Sequence, residues 1–169
     1  MAIIFQLVVN FPVSEAAAAE RARAIVSTST VEAFGRDLQL HHRTTGVKSP
    51  ADIDEGYIEF AVHPVGLSYG ATINDPDIAM SEVTSDDLSA VGTQLYDLLR
   101  NLDSFQAAFV GWDSEWLVDL HDLGSDGSIH DVQGLVVSDA VARRYQLGPR
   151  FVRFEPGYRW LPYQGSSVW

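Results

Sequence analysis

Gly66-Leu67-Ser68-Tyr69-Gly70 fits the G-x-S-x-G pattern, in which a serine on a sharp strand-to-helix turn acts as a nucleophile. His121 and His130 follow in an order that would suit the base such a serine needs. The pattern requires a helix directly after the serine. Ala71-Thr72-Ile73 instead reads as continuing strand, ended by Asn74-Asp75-Pro76, so a plain strand serine is the favoured reading. Asp122, Asp126 and Gly127 occupy positions one, five and six of a calcium loop. Gly124 and Gln133 fall where that loop needs an oxygen ligand and a bidentate carboxylate, which favours an ordinary Asp-Gly turn.

Five histidines raise the question of a metal. His41 and His42 are neighbours on an expected strand and point to opposite faces, so they cannot hold one ion side by side. His121 and His130 lie among Asp119, Asp122 and Asp131, a set with the right donors for a divalent ion but no diagnostic spacing. Glycine-rich phosphate loops are absent from the sequence. Paired carboxylates mean little where acids are this dense. No catalytic residue, metal ligand or cofactor is assigned.

The segment Trp112-Asp113-Ser114-Glu115-Trp116-Leu117-Val118-Asp119-Leu120-His121-Asp122 places two tryptophans among four acids. Tryptophan supplies large apolar area to an interface, and surrounding carboxylates complement a basic partner. Trp112, Asp113, Glu115, Trp116, Asp119 and Asp122 are therefore the candidate partner-binding residues. Against this stands the habit of tryptophan to be mostly buried, which would make at least one of the two a core residue. Arg143, Arg144, Arg150, Arg153 and Arg159 are interleaved with aromatics and have the look of an RNA-binding strip. The stronger expectation is that they neutralise acids of the same fold.

That expectation comes from the charge distribution. Residues 49–142 carry eighteen acids and one base, Arg100, whereas the flanks carry five acids and ten bases. The middle is thus near −17 and the flanks near +5. Such a field draws basic partners and repels nucleic acid and anionic membrane. Cysteine is absent, which removes disulfides and thiolate zinc sites and suits a cytoplasmic location. The apolar run Ile3–Val9 has no preceding basic residue and reads as a strand rather than a signal segment. No apolar stretch reaches the roughly 18–20 residues needed to cross a bilayer.

The elements that would position these residues form an α+β pattern. Ala2–Val9 is apolar on both faces and reads as a central strand stopped at Pro12. Ser14 is the expected N-cap of an alanine-rich helix over Glu15–Val26, followed by a turn at Ser27–Thr30. Strands are expected at Arg36–Arg43, Tyr57–Val62 and Leu67–Ile73, with a polar loop at Gly46–Gly56 and a turn at Asn74–Asp77. Thr84 and Asp87 have capping-box spacing ahead of a helix over Asp86–Asn101, whose stripe is Leu88, Val91, Leu95, Leu98 and Leu102. Gln106–Trp112 is a strand. Beyond it lie short candidate strands at Trp116–Leu120, Leu135–Val137 and Phe151–Phe154, a helix over Asp139–Gln146 capped by Ser138, and an aromatic, turn-rich Tyr158–Trp169. The order predicts one domain: an antiparallel sheet with helices on one face, having a ferredoxin-like split βαβ core over about residues 1–112 and an extension over about 113–169.

In its Gly-Trp-acid segment, Gly111 to Leu120, and in its size, acidity and lack of cysteine, the chain resembles the small acidic immunity proteins of bacterial polymorphic-toxin systems. That resemblance implies a cytoplasmic, non-enzymatic inhibitor that plugs the active site of a cognate toxin, often a basic nuclease. The expected function is an acidic protein-binding module for a basic protein, with no nucleic acid and no membrane as partner. Two alternatives stand beside it. One is a small metal-dependent enzyme using residues 119–131, and the other is a structural homo-oligomeric subunit.

Overall fold

The computed structural model describes residues 3–47, 56–69, 83–112, 120–125 and 127–162. Among these, strands β1 (Ile3–Pro12), β2 (Thr30–Ala33), β3 (Arg36–Val47), β4 (Tyr57–Pro64), β5 (Ser68–Tyr69), β6 (Ala107–Trp112), β7 (Val136–Ser138), β8 (Val152–Glu155) and β9 (Tyr158–Trp160) form one antiparallel sheet. Its order is β2-β3-β4-β1-β6-β7-β9-β8, with β5 paired to the start of β1 beyond the end of β4. The helices are α1 (Ala16–Val26), α2 (Ser85–Leu99), α3 (Leu120–Ser125) and α4 (Asp139–Arg144).

β1 is central because both its faces are apolar. Phe5, Leu7, Val9 and Phe11 point to one face, where they meet Phe60 and Val62 of β4, Leu38 and Leu40 of β3, and Val110 of β6. α1 covers this face with Ala18, Ala19, Ala22 and Val26, small side chains that let it lie close to the sheet. α2 adds Leu88, Val91, Leu95 and Leu99 from its apolar stripe. Its start is the expected capping box: the Thr84 hydroxyl accepts from Asp87 N–H at 3.2 Å, and the Asp87 carboxylate accepts from Thr84 N–H at 2.9 Å.

The opposite face is where the structure departs from the pattern of helices on one side only. Val8, Ala61, Ala107, Phe109 and Val137 form a second apolar floor, and Leu123 of α3 with Val141 and Ala142 of α4 packs on it. The C-terminal segment also continues the sheet itself, through Ala107↔Val137 and Ala108↔Val136. α2 anchors that segment from the first face. Tyr96 meets Trp160 and Phe154 edge-on, at centroid distances of 5.7 and 6.3 Å, and its hydroxyl donates to the Gly134 carbonyl at 2.8 Å.

Other boundaries shift for local reasons. Ser14 lies inside a 3-10 turn, Val13–Glu15, through which the chain leaves Pro12, so Glu15 takes the N-cap place without a side-chain bond. β2 has a single buried residue, Val31, too little periodicity to read from sequence. The segment expected as strand at residues 116–120 enters α3 at Leu120, and residues 116–119 lie outside the described part. So do residues 70–77, which hold the rest of the Leu67–Ile73 strand and the Asn74–Asp77 turn, most of the 46–56 loop, and residues 163–169. Ser138 caps α4 as expected, accepting from Val141 N–H.

Candidate functional site

Of the six candidate partner-binding residues, Asp113, Glu115, Trp116 and Asp119 lie outside the described residues. Trp112 is half-buried at the end of β6, edge-on to Phe5 with ring centroids 5.3 Å apart, and belongs to the packing beneath α1 and α2. Asp122 is exposed on α3, which packs on the other face. The two described members therefore stand on opposite sides of the sheet.

The chemistry-bearing motifs are likewise dispersed. Ser68 sits in a two-residue strand, in line with its plain strand reading. Asp122 lies within helix α3, and Gly127 has φ +79° ahead of a 3-10 turn, Ser128–His130. Asp131 is tied to Arg150 at 2.8 Å. Among the described residues, no group of three or more histidine or acidic side chains is arranged to hold a metal.

The C-terminal arginines do engage acids of the central region. Besides Arg150–Asp131, Arg159 pairs with Asp139 at 2.9 Å. Arg100, the one base of the middle, bonds to Glu155 at 2.6 Å and to the Phe154 carbonyl at 2.9 Å, with its guanidinium 4.3 Å above the Phe154 ring. Exposed pairs of this kind contribute about 0–1 kcal/mol each. Their effect is chiefly to fix where positive charge resides.

Two groupings were not evident from the sequence. The first is the β2–β3 hairpin, whose two-residue turn, Phe34-Gly35, has φ +54° and +71°. Positive φ at both positions marks a type I′ turn, which favours Asn-Gly. Phe34 is 41% exposed at its tip. With Glu32, Asp87 and Gln94 it lines a hollow of about 270 Å³ between the hairpin and α2. Glu32 and Asp37 of the hairpin and Asp86 of α2 are all exposed.

The second grouping is a polar strip on the sheet face opposite α1 and α2. Gln6 and Asn10 of β1 and Glu59 of β4 are buried there, at 2%, 1% and 8% exposure. Register sets His63 beside Gln6 and directly opposite His41, with Arg43 one row on and 3.8 Å from Glu59. Burial, and then the nearby His41, Arg43 and His42, hold the His63 pKa down to about 4, so its ring is neutral at neutral pH. His42 projects to the other face and stacks on Phe60 at 5.6 Å, which confirms the opposed directions expected of His41 and His42. Finding this strip from sequence requires the β3–β4 register, which residue patterns alone do not supply.

No protein-family model, curated protein or solved structure matches this chain.

Proposed function

We propose that the chain is a non-enzymatic acidic protein-binding module, an inhibitor or immunity protein that neutralises a basic toxin or enzyme in the cytoplasm. The observation that carries this reading is the charge partition: eighteen acids against one base over residues 49–142. Among the described residues, Arg21, Arg43, Arg150 and Arg159 each pair with one central acid, Asp103, Glu59, Asp131 and Asp139 respectively. Arg100 is occupied by Glu155 and the Phe154 carbonyl, so the eighteen central acids still outnumber the bases that meet them. Arginines committed to carboxylates also support a protein partner over a nucleic acid. Carboxylates would stand in for substrate phosphates at the partner's groove, with Asp113, Glu115, Trp116, Asp119 and Asp122 as the contact set. Trp112 packs against Phe5 on the opposite side of the sheet from Asp122. The exposed Phe34, beside Glu32 and Asp87, offers a second apolar contact next to acidic side chains.

The strand order β3-β4-β1-β6, with α1 and α2 in the connections and on one face, supports reading residues 1–112 as a ferredoxin-like split βαβ core. On that reading the C-terminal extension is an addition that widens the sheet and covers its second face.

A pull-down at low salt identifies the partner, and stopped-flow association then tests the mechanism. The association rate should fall by about tenfold or more as ionic strength rises, while dissociation changes little. Equal affinity at low and high salt would overturn the electrostatic reading.

A further inference from the structure

We propose that His41 and His63 form a two-histidine site for a zinc-class transition-metal dication, on the sheet face opposite α1 and α2. The two residues are direct partners across β3 and β4, and their side chains project to the same face. Their ring centroids are 5.8 Å apart with planes at 59°. Two imidazoles bound to one tetrahedral ion at about 2.1 Å have centroids roughly 5 Å apart, so small χ rotations bring both onto one ion.

His63 carries the second, independent indication. Its Nε2 is buried and makes no hydrogen bond, an uncommon condition for an imidazole nitrogen in a folded protein. A metal ion would give that nitrogen a partner through its lone pair, which a neutral ring has available. His41 is exposed, so an ion reaches the pair from solvent and keeps water at its remaining positions. The adjacent cation, Arg43, is opposed by Glu59 at 3.8 Å, which lowers its repulsion toward a dication. Imidazole ligands select zinc, copper or nickel over magnesium or calcium.

The test is a calorimetric titration of chelator-treated protein with Zn²⁺ alone at neutral pH, alongside NMR of the five histidine rings. One zinc per chain should bind, shifting His41 and His63 signals together and leaving His42, His121 and His130 in place. His41→Ala removes an exposed side chain, so the fold should survive, as circular dichroism will verify, and affinity should drop at least about tenfold. His121→Ala should bind zinc like the parent. Absence of binding, unchanged binding by His41→Ala, or movement of the His121 or His130 signals in place of the pair would overturn the site.

Discussion

Gln94 grips Glu32 by both of its backbone polar groups. The Glu32 N–H donates to Oε1 of Gln94 at 2.7 Å, and Nε2 donates back to the Glu32 carbonyl at 2.8 Å. Glu32 lies on β2, an edge of the sheet, where unpaired backbone groups invite another strand. At the opposite edge, Arg100 donates to the Phe154 carbonyl of β8. Both side chains come from the same helix or its C-cap, so α2 packs the core and guards both edges of the sheet.

Gln94→Leu should therefore do more than remove two hydrogen bonds. The loss should lower stability by about 1–2 kcal/mol. It should also free the β2 edge for pairing between chains. Urea denaturation measures the first effect, and sedimentation at increasing protein concentration measures the second. A variant that stays monomeric at every concentration would show that the Gln94 clamp is not what protects this edge.

Phe34 should be a residue the fold would do better without. A β-hairpin tip in the left-handed region disfavours a bulky side chain by about 1–2 kcal/mol, and Asn-Gly is the preferred pair there. Phe34→Asn should raise the urea midpoint, by about 0.5–1 kcal/mol in stability. If Phe34 is a partner contact, the same change should weaken binding while it stabilises the free protein. A fall in stability would show that the ring packs productively on the free protein.

These sites show what was and was not legible in the chain. β1, α2 and its Thr84–Asp87 box were readable because their signals are local: a two-faced apolar run, a stripe at three and four residues, and a cap at fixed spacing. α4 was readable from Ser138 for the same reason. β2 was not, because one buried valine gives no period and a phenylalanine is an unexpected residue in a type I′ turn. The second apolar face was hidden because Val8, Ala61 and Phe109 are brought together only by strand pairing. The His41–His63 pair depends on register in the same way.

Gly124 should tolerate no side chain. A Cβ built there would lie 2.1 Å from Cε1 of Tyr145, and that ring is held by its hydroxyl, which donates to the Leu120 carbonyl at 2.8 Å. Gly124→Ala must displace either Tyr145 or α3, and overpacking of this kind costs about 1–3 kcal/mol. Gly148 has open space around its Cβ position, so Gly148→Ala is the control and should stay within about 0.5 kcal/mol of the parent. Thermal denaturation of the two variants side by side decides it. Equal midpoints would mean that Tyr145 yields freely.

Tyr158 should give the protein a distinct alkaline signature. Its ring stacks on Phe105 with centroids 4.1 Å apart, and its hydroxyl accepts from the Phe105 N–H at 3.3 Å. Burial of the phenol raises its pKa above the usual 10.0, with the Asp103 and Glu15 charges acting in the same direction and the backbone bonds from Phe105 and Ser104 opposing. A raised pKa in the folded state means that the unfolded chain loses this proton first. The stability contribution is thus complete below pH 10 and declines as pH rises from there through the folded pKa. Ultraviolet titration should show one tyrosine ionising later than a free phenol. Tyr158→Phe should remove that late step and flatten the loss of stability above pH 10, since the variant has no proton to release at this position. If parent and variant lose stability in parallel across that range, the alkaline sensitivity originates elsewhere in the fold.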